Sequence, residues 1–209
     1  MGRVDTMTFD GLAESIRAGR HRHAARCLVV GVDGLSGSGK SSFAERLAGA
    51  LGCPCIGTDQ MVQGWDGLKA SLDVLATGVL GPWERGAPAR WRRFDWSAYR
   101  PSEWVSLPPP DVVVVEGCCV GVPPAGDHLG YLVWLDTPAE ERRRRLHGRE
   151  DWTAFAPFFD SWTAQESTLQ EGARTAERAD LIVDNRLATP TAWPDGRVVC
   201  RRAGGGATG

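Results

Sequence analysis

A glycine-rich segment between two apolar runs is the feature that most constrains this chain of 209 residues. Residues 34–41 read Gly-Leu-Ser-Gly-Ser-Gly-Lys-Ser and match the phosphate-binding pattern G-x-x-x-x-G-K-[ST]. That pattern has structural meaning only between a buried strand and a helix. Both are predicted here, because a β-branched run occupies 27–32 and apolar residues recur at helical spacing over 43–51. The sequence therefore predicts an α/β fold built around a phosphate-binding loop (P-loop).

The residue types in this loop suit the binding of a phosphate chain. Glycine lets the backbone curve in conformations that side chains disfavour, so that successive N–H groups point inward. The pattern assigns the following residues to nucleotide binding: Gly34, Ser36, Gly37, Ser38, Gly39, Lys40, Ser41 and Ser42. Lys40 is expected to reach the β- and γ-phosphates, and the Ser41 hydroxyl is expected to bind Mg²⁺. ATP and Mg²⁺ are the expected ligands.

The composition restricts the class of partner. With 24 basic and 26 acidic residues, the net charge of −2 gives no electrostatic case for nucleic acid or an anionic membrane. No apolar run approaches the length of a membrane-spanning helix, and the N-terminus lacks the apolar core of a signal peptide. We expect a cytoplasmic protein that acts on a small molecule, with a homodimer left open.

Two acidic residues follow predicted strands at the edge where parallel α/β sheets place their chemistry. Asp59 follows a short strand candidate at 55–58, and Glu116 follows four valines at 112–115. Asp59 is a candidate base, although a helix N-cap or a water-mediated contact to Mg²⁺ would also suit an aspartate there. The alternative for Glu116 is a hydrogen bond to the P-loop backbone.

The middle of the chain is rich in tryptophan. A helix is predicted over 66–80, ended by Gly81 and Pro82. Residues 84–110 then show no sustained period of two or 3.6 and predict a long excursion from the core. Five tryptophans fall within residues 65–104: Trp65, Trp83, Trp91, Trp96 and Trp104. Their clustering indicates either an acceptor pocket or plain hydrophobic packing.

Further elements complete an alternating pattern. A helix is predicted at 8–19, strands at 131–135 and 179–184, and a short edge strand at 198–200. The helix that follows Asp136 carries four consecutive arginines. It fits either a lid that closes over a nucleotide or an ordinary charged surface helix. The order of elements predicts a three-layer α/β/α fold with a mainly parallel five-stranded sheet.

The P-loop, Thr58-Asp59-Gln60-Met61, Phe94-Asp95-Trp96 and Val115-Glu116-Gly117 together resemble the uridine kinase and phosphoribulokinase group of P-loop kinases. The similarity covers most of residues 27–185 and is strongest to uridine kinase-like proteins of high-GC bacteria, which share the segment 64–68. The resemblance implies that Asp59 is the base toward the acceptor hydroxyl. It also implies that Asp95 binds the acceptor and that Glu116 lies near Mg²⁺ and the acceptor. The alternative for Asp95 is an ion pair with Arg92 or Arg93 that holds the excursion in place.

The same resemblance assigns the remaining site residues. Arg142, Arg145 and Arg149 are expected to form the nucleotide lid, and Trp65, Arg92 and Trp96 are expected to contact the acceptor. The chain differs from its relatives at Gln60, Met61 and Val62, where they often carry a second acid and an aromatic residue. It also reads Arg149-Glu150-Asp151 where the usual ending is Arg-Asp.

The expected domain organisation has three parts. An N-terminal helix and connector occupies 1–26, a P-loop kinase domain 27–203 and a flexible tail 204–209. Within the kinase domain, about 59–110 is the acceptor region and about 140–170 the lid with its following helix. The expected activity is transfer of the ATP γ-phosphoryl group to a hydroxyl of a nucleoside-like or other small polar acceptor. A kinase acting on a natural-product or antibiotic hydroxyl and a nucleotide-dependent switch are the two alternatives.

Overall fold

The computed structural model describes residues 4–19, 26–186, 193 and 196–202, so the predicted tail at 204–209 lies outside the described residues. The strands of this part are β1 (Val4–Thr8), β2 (Leu28–Asp33), β3 (Cys55–Gly57), β4 (Ala89–Asp95), β5 (Arg100–Leu107), β6 (Val112–Glu116), β7 (Tyr131–Asp136), β8 (Leu181–Asp184) and β9 (Arg197–Arg202). The helices are α1 (Phe9–Ala18), α2 (Lys40–Leu51), α3 (Leu68–Val74), α4 (Gly81–Glu84), α5 (Ala139–His147), α6 (Trp152–Phe155), α7 (Phe159–Ala173) and α8 (Thr175–Arg178). None of the described helices combines the length and apolar character needed to cross a membrane.

A seven-stranded sheet in the order β1-β9-β8-β7-β2-β6-β3 forms the centre of the protein. The five strands from β8 to β3 are parallel, as predicted, and β9 runs antiparallel to both β8 and β1. The prediction of five strands was therefore wrong by two. The sequence of β1 shows no alternation of apolar and polar residues, because almost all of its side chains are exposed. The strand is held by its backbone pairing with β9, which needs no such alternation.

The central strands are buried on both faces, which is why they read as continuous apolar runs. Along β6, Val114 packs toward α1 and α2, whereas Val113 and Val115 pack toward the opposite layer. The first layer is built from residues such as Phe9 on α1 and Phe43 on α2. The result is the predicted α/β/α arrangement.

The register places chemistry at one edge of the sheet. Val32 on β2 pairs with Glu116 on β6, and Glu116 pairs in turn with Gly57 on β3. The carboxyl ends of these three parallel strands therefore lie side by side, directly below the P-loop.

The predicted excursion is a structured hairpin. Strands β4 and β5 pair antiparallel, with a register shift between Arg92 and Phe94. The sequence showed no sustained period of two here because this bulge interrupts it: Ala89 and Trp91 are buried, and the next buried residue is Phe94, three positions on.

The helix predicted over 66–80 does not end at Gly81 and Pro82. A wide π-helical segment, Leu75–Leu80, joins α3 to α4, and the Gly81 N–H bonds to the carbonyl of Ala76. Pro82 then lies in the first turn of α4. The chain therefore remains helical through Glu84.

Trp83 joins this helical run to the hairpin, and its removal should destabilise the fold. Its side chain is fully buried, and Nε1 donates a 3.2 Å hydrogen bond to the Leu107 carbonyl on β5. We expect Trp83→Ala to lower the free energy of unfolding by about 3–5 kcal/mol, measured by urea denaturation. Trp104→Ala, on the exposed face of the same hairpin, removes a cation–π contact with Arg90 and should change it by about 1 kcal/mol or less. Similar losses in both variants would contradict this view of the hairpin.

Candidate active site

A cavity of about 990 Å³ lies along the carboxyl edge of the parallel strands. One end is formed by the P-loop and arginines of α5, and the other by aromatic residues around Asp59. Its lining includes these predicted site residues: Ser36, Gly37, Gly39, Lys40, Ser41, Ser42, Asp59, Trp65, Trp96, Glu116, Arg145 and Arg149. Residues from distant parts of the sequence thus meet in one space.

Two glycines of the P-loop occupy backbone conformations and spaces that exclude a side chain. Gly37 and Gly39 have φ of 81° and 92°, in the left-handed region. A Cβ on Gly37 would lie 2.5 Å from the backbone oxygen of Arg142, and one on Gly39 would lie 2.6 Å from Asn185 Nδ2. Helix α2 starts immediately after Gly39, so the free N–H groups of its first turn face the loop.

Lys40 is the first residue of α2 and is 8% exposed. Its ammonium donates to the Leu35 carbonyl at 3.2 Å, across the P-loop. Burial disfavours the charged form, but neighbouring Cys118, Glu166 and Glu116 outweigh it and raise the pKa of Lys40 above its ordinary value. A fixed positive charge therefore lies under the loop at neutral pH.

Ser41 and two acidic side chains meet beside Lys40. The Ser41 hydroxyl donates to Glu116 Oε1 at 3.1 Å. A Cβ on Gly57 would lie 2.7 Å from Asp59 Oδ1 and 3.1 Å from Glu116 Oε1, so both carboxylates converge over this glycine. Burial raises the pKa of Glu116, an effect that Lys40 opposes and Asp59 reinforces. Glu116 therefore accepts from the Ser41 side chain, where the alternative expected a hydrogen bond to the P-loop backbone.

Asp33 supports the P-loop and was not identified from the sequence. Its buried carboxylate accepts hydrogen bonds from the backbone N–H groups of Gly34 at 2.6 Å and of Cys119 and Gly121 at 2.9 Å, and from the Gln170 amide. Burial raises its pKa, although these hydrogen bonds counter that effect. The sequence did carry a signal for Asp33, because it is an acidic residue at the end of a predicted strand. The same rule selected Asp59 and Glu116.

A second buried acid, Glu166 on α7, holds the P-loop from the side. It accepts from the Ser36 N–H at 3.1 Å and from the Ser36 hydroxyl at 2.7 Å, and it is 1% exposed. Trp162 donates from Nε1 to the same hydroxyl at 3.1 Å. Nothing in the local sequence separates Glu166 from other acids on this helix, because its partner lies 130 residues away.

Two arginines of α5 bind the P-loop. Arg142 and Arg145 donate to P-loop carbonyls, Arg142 to Ser36 at 3.2 Å and Arg145 to Ser38 at 3.3 Å. Arg142 does not line the cavity.

Arg144, which was not predicted, does line the cavity and is 60% exposed. Hydrogen bonds from Arg144 and Arg145 lower the pKa of Glu141 to about 2. Arg149 also lines the cavity and pairs with Asp151. Helix α5 therefore both supports the P-loop and faces the cavity.

An aromatic wall closes the far end of the cavity. We use this name for Trp65, Trp96, Tyr99, Phe155, Phe158 and Trp162, all of which line it. Trp65 is central: its ring centroid lies 4.6 Å from that of Trp96 and 4.9 Å from that of Phe158. Trp96 also donates from Nε1 to the Asp59 carbonyl at 3.1 Å, which joins the wall to Asp59.

Two predicted acceptor residues lie elsewhere. The Asp95 carboxylate accepts from the N–H groups of Ser97 and Ala98, each at 2.9 Å, and so stabilises the hairpin turn. Arg92 donates to the Ser102 carbonyl at 3.0 Å, across the hairpin. Neither residue lines the cavity, and the alternative ion pair between Asp95 and Arg92 or Arg93 does not form, since Arg93 pairs with Glu103. Of the residues predicted to bind nucleotide, Gly34 and Ser38 also do not line the cavity.

Solved structures share this architecture. The chain superposes on a possible uridine kinase from Bacillus stearothermophilus with a TM-score of 0.61 and 21% identity, over 83% of this chain and 96% of that one. A candidate fructose transport system kinase from Silicibacter sp. TM1040 superposes with a TM-score of 0.51 and 20% identity, over 83% and 95%. Searches of protein-family models and of curated protein sequences found no match. The comparison establishes a P-loop kinase-like fold.

The Glu166 contacts predict a selective loss of stability. Glu166→Gln removes the negative charge and leaves one acceptor oxygen in place of the two that accept from Ser36. We expect the free energy of unfolding to fall by about 1–3 kcal/mol, measured by urea denaturation. Glu171→Gln, at an exposed position on the same helix, is the matched control and should change it by less than about 0.5 kcal/mol. An unchanged stability in Glu166→Gln would show that these bonds contribute little.

Proposed function

We propose that the protein is a cytoplasmic, ATP- and Mg²⁺-dependent kinase that phosphorylates a hydroxyl group of a small molecule. The observation that carries the proposal is the convergence of Lys40, Ser41, Glu116 and Asp59 at one edge of the sheet. A P-loop by itself fits any triphosphate-binding protein. An additional exposed carboxylate directed into the cavity, with room for a second ligand beside it, fits transfer to an acceptor.

The donor set suits Mg²⁺. The Ser41 hydroxyl and the Glu116 carboxylate are hard oxygen donors that already lie within hydrogen-bonding distance of each other, and Mg²⁺ prefers such ligands together with phosphate oxygens and water. Mg²⁺ would neutralise charge on the β- and γ-phosphates. Ser41 and Glu116 would hold it.

The residues of the chain have distinct tasks in the transfer. The P-loop N–H groups and Lys40 bind and orient the phosphates, and Arg144 and Arg145 add positive charge from α5. A bond forms between the acceptor oxygen and the γ-phosphorus while the bond from that phosphorus to the bridging oxygen of ADP breaks. Asp59 accepts the hydroxyl proton. Its exposure at the cavity surface and its position beside Glu116 support this role.

The proposal is tested by acceptor-stimulated ADP release. The purified protein is supplied with ATP and Mg²⁺ and screened against nucleosides, sugars, sugar phosphates, pantothenate-like alcohols and hydroxylated antibiotics. We expect at least one class to stimulate ADP release, with a phosphorylated product detected by mass spectrometry. Tight nucleotide binding without stimulation by any acceptor would favour a nucleotide-dependent switch.

A kinase for natural-product or antibiotic hydroxyls is the second candidate. The aromatic wall favours it, because a surface of six aromatic side chains is larger than a simple sugar requires. Stimulation by the antibiotic class alone in the same screen would identify this activity.

Asp59→Asn tests the proton acceptor. The amide keeps the shape of the side chain but cannot accept the proton, so we expect turnover to fall by about 10²–10⁴-fold. ATP affinity, measured by calorimetry, should stay nearly unchanged. Asp66→Asn, at an exposed position nearby, serves as the control and should retain full turnover. Full turnover in Asp59→Asn would remove Asp59 from this role.

Lys40→Ala tests the phosphate site. Loss of the ammonium removes a charge that binds phosphate, so we expect the affinity for ATP to fall by about tenfold or more, which corresponds to about 1.4 kcal/mol, and turnover to fall as well. Calorimetry with ATP measures the affinity. Lys69→Ala, on the exposed face of α3, should bind ATP like the unmodified protein. Equal affinities in the two variants would contradict a phosphate-binding role for Lys40.

A further inference from the structure

The two ends of the cavity differ in the charge of the side chains that line them. At the phosphate end, Lys40, Arg144 and Arg145 line the cavity around the P-loop, and the two arginines share one acidic partner, Glu141. At the end formed by Asp59 and the aromatic wall, the side chains are mostly apolar, and Val62 and Leu68 extend this surface. The acceptor must fill the second end if its hydroxyl is to reach Asp59.

Positive charge at the acceptor end is already neutralised. Among the described lining residues, Arg149 is the arginine that adjoins α6, since its carbonyl accepts from the Trp152 N–H at 3.2 Å and Phe155 of α6 belongs to the wall. Its guanidinium pairs with Asp151, which also lines the cavity. The hairpin arginines do not contribute, because Arg92 and Arg93 bond to other hairpin residues outside the cavity. With Asp59 counted, the acceptor end is net negative. An anionic group bound there would lose its hydration without gaining an ion pair.

The rings of the aromatic wall already contact one another. Trp65 stacks on Phe158 with an interplanar angle of 12° and on Phe155 with one of 25°. Trp96 contacts the same ring at 4.6 Å, and Trp162 contacts it edge-on at 6.1 Å. The wall therefore forms a continuous apolar surface rather than a slot between two parallel rings.

We propose that the acceptor is an alcohol without anionic groups whose body is apolar, so that its body packs against the aromatic wall while its hydroxyl meets Asp59. This proposal rests on the proposed kinase function and specifies its substrate class. Burial of the apolar body against the wall supplies binding free energy. Selection against phosphorylated and carboxylated alcohols follows because, in the part of the chain that the structure describes, Arg149 at this end is held in an ion pair, and an unpaired buried charge is costly.

A panel of nine alcohols separates apolarity from charge. Three hydroxyl carriers, β-D-glucoside, β-D-riboside and propan-1-ol, each bear three alternative arms: methyl, phenyl and 4-carboxyphenyl. The reacting hydroxyls are the same within each carrier, so only the arm changes. ADP release is measured with ATP and Mg²⁺ for each compound. For each carrier that is accepted, we expect kcat/KM for the phenyl member to exceed that of the other two by about tenfold or more.

A gain of charge at the wall provides a second readout. Tyr99 is 56% exposed at the cavity surface, so Tyr99→Arg adds a cation without emptying the core. We expect this variant to raise the ratio of kcat/KM for the 4-carboxyphenyl member to that for the phenyl member by about tenfold. Ser106→Arg, at an exposed hairpin position that does not line the cavity, is the control and should leave the ratio unchanged.

The outcomes separate this proposal from the kinase function itself. If methyl or 4-carboxyphenyl members react as well as phenyl members, or if only sugar phosphates stimulate ADP release in the wider screen, the substrate class is wrong and the kinase function stands. If ATP binds but no alcohol in the panel or the wider screen stimulates release, both are wrong. An unchanged ratio in Tyr99→Arg would show that the wall does not set the charge preference.

Discussion

The buried carboxylate of Asp33 is the interaction on which the arrangement of the site depends. It ends β2 and accepts hydrogen bonds from the first P-loop N–H, from two N–H groups in the segment after β6, and from Gln170 on α7. Three separate parts of the chain are therefore fixed relative to one another at a single point. A buried acceptor left without donors costs free energy, and here the donors come from three separate parts of the chain. The carboxylate therefore specifies one relative placement of these parts.

Around this point, the P-loop is held by polar contacts on several sides. Glu166 and Trp162 bind Ser36 from α7, and Arg145 and Asn185 bind the Ser38 carbonyl from the opposite side. The N–H groups that would bind phosphate thus belong to a loop whose shape is set before any ligand arrives. Preorganisation of this kind is the main protein contribution to phosphoryl transfer, since it avoids reorganisation during the reaction.

The end of the cavity that carries the aromatic wall has a different physical character. Its surface comes from the 62–68 segment, the hairpin turn and α6 to α7. Aromatic contacts connect these parts, together with hydrogen bonds from the Gln165 amide to the Trp65 carbonyl and from the Trp65 N–H to the Tyr99 hydroxyl. The sequence indicated that tryptophans cluster here but left pocket and packing open. The structure divides them: Trp83 and Trp91 are buried in the core, whereas Trp65 and Trp96 line the cavity.

The sequence by itself determined the parallel core, the P-loop and the acids at the ends of β3 and β6, because these follow from local patterns: buried β-branched runs, glycines at fixed spacing and the strand-end rule. Only the tertiary structure decided the pairing of β1, the bulged hairpin, the roles of Asp33 and Glu166, and the exclusion of Arg92 and Asp95 from the cavity. The physical reason is that a bulge breaks the periodicity by which strands are recognised. In addition, a hydrogen bond between residues more than one hundred positions apart leaves no trace in the residues near either partner.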